Sequence, residues 1–397
     1  MISSLLATLL LLQAPGDSLT LGAALTHART HRGQVLASSA QVAAARAGVR
    51  VAGTLPNPVA SYSYSQDPPR QHASLDQSFD WLLTRGADRG AAGARVRSAV
   101  ADSVQAAADL AAEVRLAFYG AVAARELARV TDAQAIVADS LATLASRRLE
   151  SGDIAEVERD QLVLEAVRAG QRRSRSREAA AIAWARLARA IGWERADATP
   201  PVLSGGLDDG LRSLGSGAIA PGPTPPLIEA AIADSLAAAE QARRASLARM
   251  PLPSLTAGAD WDDPSGRRGA LALFGVSIPL PLWQRGNGAR ALAQADAAQA
   301  AAGTAEVRLE TARQISESQT RLFEAAGRAR VARDSLLPVA QRLRERATVA
   351  YRAGETGGIP LLEALRAERD VTAETVDDLL NYQEAWAAWK RIRGEAE

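Results

Sequence analysis

The sequence predicts a mostly helical chain that also carries membrane-spanning β-strands, arranged as a two-fold internal repeat with four strands per chain. Three observations predict this. One plan of elements recurs after about 200 residues. Each copy holds a pair of alternating, strand-like runs. Each pair leads into helical stretches far longer than the roughly three turns of an average globular helix.

Composition narrows the function classes. Of 397 residues, 47% are hydrophobic but only 4% are aromatic, so Ala and Leu supply most of the apolar content. Lys plus Arg (46) nearly cancels Asp plus Glu (45), which gives no basic excess for nucleic-acid phosphates. There is no Cys, which excludes disulfides, thiolate metal sites, Cys nucleophiles and a lipid-bearing Cys. Three His leave little room for a His-rich metal centre. No run reaches the roughly 18 apolar residues of a spanning helix, yet a closed β-barrel spans without one. No phosphate loop, nucleophile elbow or zinc-protease motif occurs.

Residues 1–14 read as an export signal: Ile2 to Leu12 is a short apolar core followed by Pro15 and Gly16. The alternative is the start of a first helix. The first repeat then covers 19–194, with strands at about 59–65 and 73–83 and long helices at about 94–151 and 154–192. A segment rich in Pro and Gly, 195–226, reads as the linker. The second repeat covers 227–394, with strands at about 255–261 and 270–283 and helices at about 289–353 and 360–393.

The strand assignments rest on period two. In copy one Ala73, Leu75, Phe79, Trp81 and Leu83 alternate with Ser74, Asp76, Ser78 and Asp80, with Gln77 and Leu82 out of phase, and the first runs, 59–65 and 255–261, are less clean. In copy two Phe274, Val276, Ile278, Leu280 and Leu282 alternate with small residues and Pro. Tyr62, Tyr64, Phe79, Trp81, Trp261, Phe274 and Trp283 concentrate in these runs, as an aromatic girdle does. Ordinary hairpins packed on helices are the alternative. Gly-rich corners at Gly86 and Gly90, and at Pro279, Pro281, Gly286 and Gly288, turn strand into helix.

The long helices need neighbours along their length. Leu127, Val130, Gln134, Val137, Leu141 and Leu144 form a seam at coiled-coil spacing. A second seam runs Leu322, Ala325, Ala329, Ala332, Leu336, Val339 and Leu343. Pro338 inside it predicts a kink or a join between helices. Four strands cannot close a barrel, so closure requires several chains.

The combination resembles the TolC-like outer-membrane efflux protein family, nearest the branch that serves heavy-metal and cation efflux pumps. The resemblance runs from about Leu19, with Leu21 and Leu25, to nearly the end of the chain. It is carried by the stretch from Gly275 through Ile278, Pro279, Leu280, Pro281, Leu282 and Trp283 to Arg285, Gly286, Asn287 and Gly288. It is carried also by Tyr351, Arg352, Ala353, Gly354 and Glu355, followed by Ile359, Pro360, Leu361, Leu362, Glu363, Ala364 and Arg366. Copy one reads Arg148, Leu149, Glu150, Ser151, Gly152 instead.

This resemblance implies a homotrimer with a 12-stranded β-barrel in the outer membrane, continued by a long coiled-coil α-helical barrel in the periplasm. It implies a passive efflux conduit, not an enzyme and without a cofactor, that touches outer-membrane lipid. Its partners are a periplasmic adaptor and an inner-membrane pump of RND type. Gly152, Asp153, Ile154, Gly354 and Glu355 become the adaptor-contacting tips; plain αα-hairpin turns are the alternative. Arg148 and Arg352 flank them and could bond carbonyls at a helix end or an adaptor group. Glu156, Asp160, Glu363 and Glu368 are candidates for a carboxylate ring at the tunnel entrance, against a plain solvated helix face. The rival function is a soluble periplasmic coiled-coil scaffold or adaptor without a pore, which has no need of aromatic strand pairs. His27 and His31, four apart, lack a third metal ligand, and the basic run Arg172 to Arg177 reads as a solvated helix face.

Overall fold

The computed structural model describes residues 18–193, 200–214, 222–262, 269–283 and 285–396. The expected export signal, 1–14, lies outside the described residues, as do parts of the expected linker. In chain order the elements are β1 (Ser18–Thr20), α1 (Leu21–His31), α2 (Gly33–Gly53), β2 (Val59–Tyr64), β3 (Gln71–Ser78), α3 (Trp81–Glu150) and α4 (Glu156–Ile191). There follow β4 (Val202–Ser204), α5 (Pro226–Leu247), β5 (Ser254–Trp261), β6 (Leu271–Ser277) and α6 (Asn287–Val331). A π-helical segment (Ala332–Leu336), α7 (Leu337–Ala353) and α8 (Gly358–Ile392) complete the chain. The described residues are mostly helical. The helix α3 alone has 70 residues, about 105 Å at 1.5 Å per residue.

Two compact units result, and they cut across the sequence repeats. One comprises Met1–Leu36, Gln105–Pro223 and Arg313–Glu397; the other comprises Ala37–Val104 and Thr224–Ala312. Each takes segments from both halves of the chain.

The smaller unit contains a four-stranded antiparallel sheet in the order β2-β3-β5-β6. Its two hairpins meet at the β3–β5 ladder, with Gln71 opposite Trp261 and Ser78 opposite Ser254. No residue of these strands is fully buried. The strands are shorter than the sequence alternation suggests. In copy one the strand stops at Ser78, and Trp81 to Leu83 open α3. The Trp81 Nε1–H donates to the Ser78 carbonyl at 3.1 Å, and the Leu82 N–H to the Phe79 carbonyl at 3.0 Å, so the chain turns into helix at once. In copy two the strand ends at Ser277, because Pro279 and Pro281 have no N–H to continue a ladder.

The expected corners divide in the same way. Gly286, at φ +68, lies at the join ahead of α6, and Gly288 lies in that helix's first turn. Gly86 and Gly90 instead lie inside α3. At Gly90 a Cβ would come 2.9 Å from the Glu240 carboxyl carbon of α5. The residue serves close helix approach, which sequence cannot separate from a turn.

The larger unit is held by a core around Phe118, Leu187, Ile191, Leu211, Leu322 and Tyr382, all fully buried. Part of the expected linker belongs to this core. Strand β4 pairs in parallel with β1, and Leu203, Leu207, Leu211 and Leu214 are buried. Gln383 donates to the Leu207 carbonyl at 2.8 Å and the Asp209 carbonyl at 3.0 Å. Arg330 reaches the carbonyls of Leu211 and Leu214, and Arg333 meets Asp208 at 2.9 Å. Residues 202–214 are therefore a strap bonded to three helices.

The helix seams also differ from the expected rows. Between α3 and α4 lies a buried cluster of Ala135, Ala138, Ala166 and Ala169, small residues that allow close approach. The larger Leu127, Val130, Gln134, Val137 and Leu144 are only half-buried. In copy two Leu322, Ala325, Ala329 and Ala332 are buried as expected, but Leu336, Val339 and Leu343 are exposed. The π-helical segment adds a residue to one turn just ahead of Pro338. The buried face then resumes at Ala340, Thr348 and Tyr351.

Two tyrosines beside the strap make its stability depend on pH. Tyr119 Oη donates to the Asp209 carboxylate at 3.3 Å, and Tyr382 Oη to the Asp209 carbonyl at 3.4 Å. Burial pushes both hydroxyls up to about 12, against the pull of Arg115. An unfolded tyrosine titrates near 10, at about pH 10. The folded chain holds these protons more tightly, so their contribution is intact below that pH and is lost as pH rises towards the folded value. The thermal midpoint should fall across this alkaline window, and Tyr382→Phe should flatten the fall. An equal slope in the variant would contradict the assignment.

Candidate functional site

Two helix reversals have the same local geometry. At the end of α3, Gly152 takes φ +78, and the Asp153 N–H donates to the Arg148 carbonyl at 2.8 Å. At the end of α7, Gly354 takes φ +78, and the Glu355 N–H donates to the Ala350 carbonyl at 2.9 Å. Both are left-handed C-terminal caps closed by a bond five residues back, where glycine avoids a Cβ clash. Asp153 and Glu355 are exposed, whereas Ile154 is half-buried against Leu141, Leu162, Tyr351, Leu361 and Leu362.

The two tips are bonded to one another. Arg148 Nη2 donates to the Arg352 carbonyl at 3.2 Å, and its guanidinium lies 4.8 Å from the Tyr351 ring centre. A helix C-terminus thereby receives a cation. The Gly358 N–H, at the start of α8, donates to Glu158 Oε1 at 2.7 Å, so the opposite helix pole receives an anion. A Cβ on Gly358 would lie 2.9 Å from that oxygen. Burial raises the Tyr351 hydroxyl pKa, as does the nearby Glu158 charge, while Arg148 opposes the shift. Sequence reading found Arg148 and the tip glycines but missed Glu158. The charge-to-helix-start contact spans 200 positions and has no local signature.

The four candidate carboxylates are not equivalent. Glu156 and Asp160 are exposed, and both pair with Arg159, at 3.4 and 3.1 Å. Glu368 is largely buried and pairs with Arg344 at 3.2 Å, some ten residues along α8 from the tip. Glu363 is exposed and forms no ion pair among the described residues. A carboxylate that sequence reasoning passed over is the buried Glu165. It bonds Arg172 at 2.5 Å and has Arg366 and Arg369 at 4.0 Å. Arg172 and Arg177 of the basic run thus form ion pairs, with Glu165 and Asp132. His27 and His31 stack at 4.0 Å, and His27 Nδ1 contacts the Ile191 carbonyl at 2.9 Å. No cluster of three metal-ligating side chains occurs among the described residues.

The sheet sorts its side chains by face. Paired residues in an antiparallel ladder share a face. By that rule Tyr62, Tyr64, Leu75, Leu255, Trp261, Phe274 and Val276 share one face. His72, Asp76 and Asp260, the ionisable His and Asp of these strands, share the other with Ser61, Ser63, Ser74 and Thr256, and with the apolar Val59, Leu271 and Leu273. His72 meets Asp260 across the ladder at 2.5 Å. His72, Asp76, Thr256 and Asp260 are half-buried, whereas Leu75, Leu255, Phe274 and Val276 are exposed.

The family model described as outer membrane efflux protein matches residues 225–395. The chain is 27% identical over 364 residues to the cobalt-zinc-cadmium resistance protein CzcC of Cupriavidus metallidurans, covering 88% of this chain and 83% of CzcC. Both agree with the resemblance read from the sequence, the family model over the second half of the chain and CzcC over most of it. Solved structures agree in fold. The outer membrane protein VceC of Vibrio cholerae matches with a TM-score of 0.75 at 19% identity, over 94% of this chain and 96% of its own. The CmeC outer membrane channel of Campylobacter jejuni matches with 0.72 at 13% identity, over 95% and 86%. This protein is an outer-membrane channel component of an efflux system.

The bonds between the tips carry a direct prediction. In this efflux protein Glu158→Ala removes the acceptor from the Gly358 amide. That amide should exchange with solvent about tenfold faster, corresponding to about 1.4 kcal/mol of local stability. Amides near Phe118 should not change. Unchanged exchange at Gly358 would show that the bond does not hold the tips.

Proposed function

We propose that three copies close one 12-stranded barrel in the outer membrane, and that their helices assemble into a tunnel through the periplasm. The observation that carries this is the two-faced sheet. Its aromatic and aliphatic side suits lipid, its Ser, Thr, Asp and His side suits a water-filled lumen, and β2 and β6 remain as open edges. An edge β2 of one copy pairing with β6 of the next leaves no unpaired edge.

In this reading Gly152, Asp153, Ile154, Gly354 and Glu355 form the helical tips that meet a periplasmic adaptor, and an inner-membrane pump of RND type supplies the energy. The channel is a passive conduit. Opening separates the two tips, which breaks the Arg148 bond to Arg352 and the Glu158 bond to Gly358. Among the candidate entrance carboxylates Glu363 is best placed to act on a passing cation, since Arg159 and Arg344 engage the other three. Light scattering in detergent should give a protein mass about three times that of one processed chain, from the outer-membrane fraction. A monomer there would overturn the shared barrel.

The likeness to CzcC supports divalent metal cations as the cargo class. Deletion of the gene should lower tolerance to cobalt, zinc and cadmium salts, and re-expression should restore it. Unchanged tolerance to all three would overturn this cargo.

A further inference from the structure

We propose that the segment between β6 and α6 is a phospholipid-binding collar, with an acyl-chain contact at Ile278, Leu280 and Leu282 and a headgroup site at Trp283, Arg249 and Arg285. This rests on the barrel reading above and goes beyond it.

The first observation is a mismatch of length. A barrel strand crosses the hydrocarbon with roughly 9–11 residues. Strands β2, β3, β5 and β6 have 6, 8, 8 and 7. The ladder therefore ends before the apolar layer does. The apolar phase of β6 does not end with it. Phe274 and Val276 are followed at the same spacing by Ile278 and Leu280, which are 56% and 72% exposed. The Leu282 N–H then bonds the Leu280 carbonyl at 2.9 Å around Pro281. That turn leaves Leu282 at 60% and Trp283 at 91% exposure. Four large apolar side chains stay uncovered in direct continuation of the lipid-facing row. The segment is also longer than the turn into a helix needs. In copy one the chain passes from Ser78 to α3 within three residues, and Trp81 is half-buried.

The second observation is chemical. A cleft of about 810 Å³ lies behind the segment, with Leu280 and Trp283 on its wall beside Arg249 and Arg285. No carboxylate lines it among the described residues. Arg249 packs its stem on Gly286 and donates from Nε to the Arg285 carbonyl at 3.2 Å, which holds the two arginines together. Guanidinium groups next to an exposed indole and an aliphatic row match a phosphate headgroup above its acyl chains. The β6 end of the barrel thus gains an anchor where hydrogen-bonded strand runs out.

The natural absence of Cys makes the test direct. Single replacements Phe274→Cys, Leu280→Cys and Trp283→Cys are labelled with an environment-sensitive fluorophore in the full chain reconstituted in phospholipid nanodiscs. All three sites are exposed, so folding contacts are kept. Quenching uses phospholipid carrying a nitroxide on the acyl chain or on the headgroup. We expect acyl-chain quenching at 274 and 280, and stronger headgroup quenching at 283. Adding R249Q and R285Q should reduce headgroup quenching at 283 about twofold while sparing 274. Quenching at 274 with none at 280 and 283 would overturn the collar alone and assign this segment to a neighbouring copy. No quenching at 274 would overturn the membrane reading of the sheet, and the collar with it.

Discussion

A four-stranded sheet with two open edges and no layer over either face cannot stand alone in water. Every backbone N–H and C=O on β2 and β6 that faces outward wants a partner, and Tyr62, Tyr64, Phe274 and Val276 want cover. Lipid can cover the aromatic side but cannot satisfy the edges. Further copies can satisfy the edges but leave one side to line whatever they enclose. The segregation of His72, Asp76 and Asp260 from the aromatics answers both demands together, because the enclosed side is then the wetted one. The proposed trimeric closure and polar lumen thus rest on one pattern rather than on two.

The helices solve a different problem with cheaper chemistry. Ala-on-Ala seams bring α3 and α4 close, at the cost of little buried area per residue. Compensation comes from a few well-placed polar contacts: Glu165 among three arginines, and the strap residues held by Gln383, Arg330 and Arg333. A buried carboxylate so placed is costly to strip of its partners. These contacts fix which helix lies beside which, while the uniform Ala surface alone would tolerate a slipped register.

Much of this was legible in the chain. Period two marks the runs that hold β3 and β6, less cleanly those of β2 and β5, and glycines at 152 and 354 mark the two reversals, because such signals are local. What failed was of three kinds. The alternation at Phe79 to Leu83 and at Ile278 to Leu282 continued past the hydrogen-bonded strand, since side-chain pattern reports on the environment and not on the ladder. The second seam lost phase at Leu336, where the π-helical turn adds a residue; Pro338 marks a join there but not the shift in phase it brings. Glu158 and the strap were invisible for a third reason, because their partners lie far away in sequence.

The π-helical turn also bears on how the tips can move. Immediately before and within it, Arg330 and Arg333 are tied to the strap, and after it α7 runs 17 residues to Gly354. Contacts beyond the turn are of another sort: a cluster around Leu141, Tyr351 and Leu361 that is smaller than the core around Phe118, the Arg344–Glu368 ion pair, and two bonds from single side chains to helix poles. Stability therefore steps down along one continuous helical run. A chain that must hold a core and still part its ends needs such a gradient, since the weakest contacts open first. Here the step coincides with the place where the helix has already changed its winding.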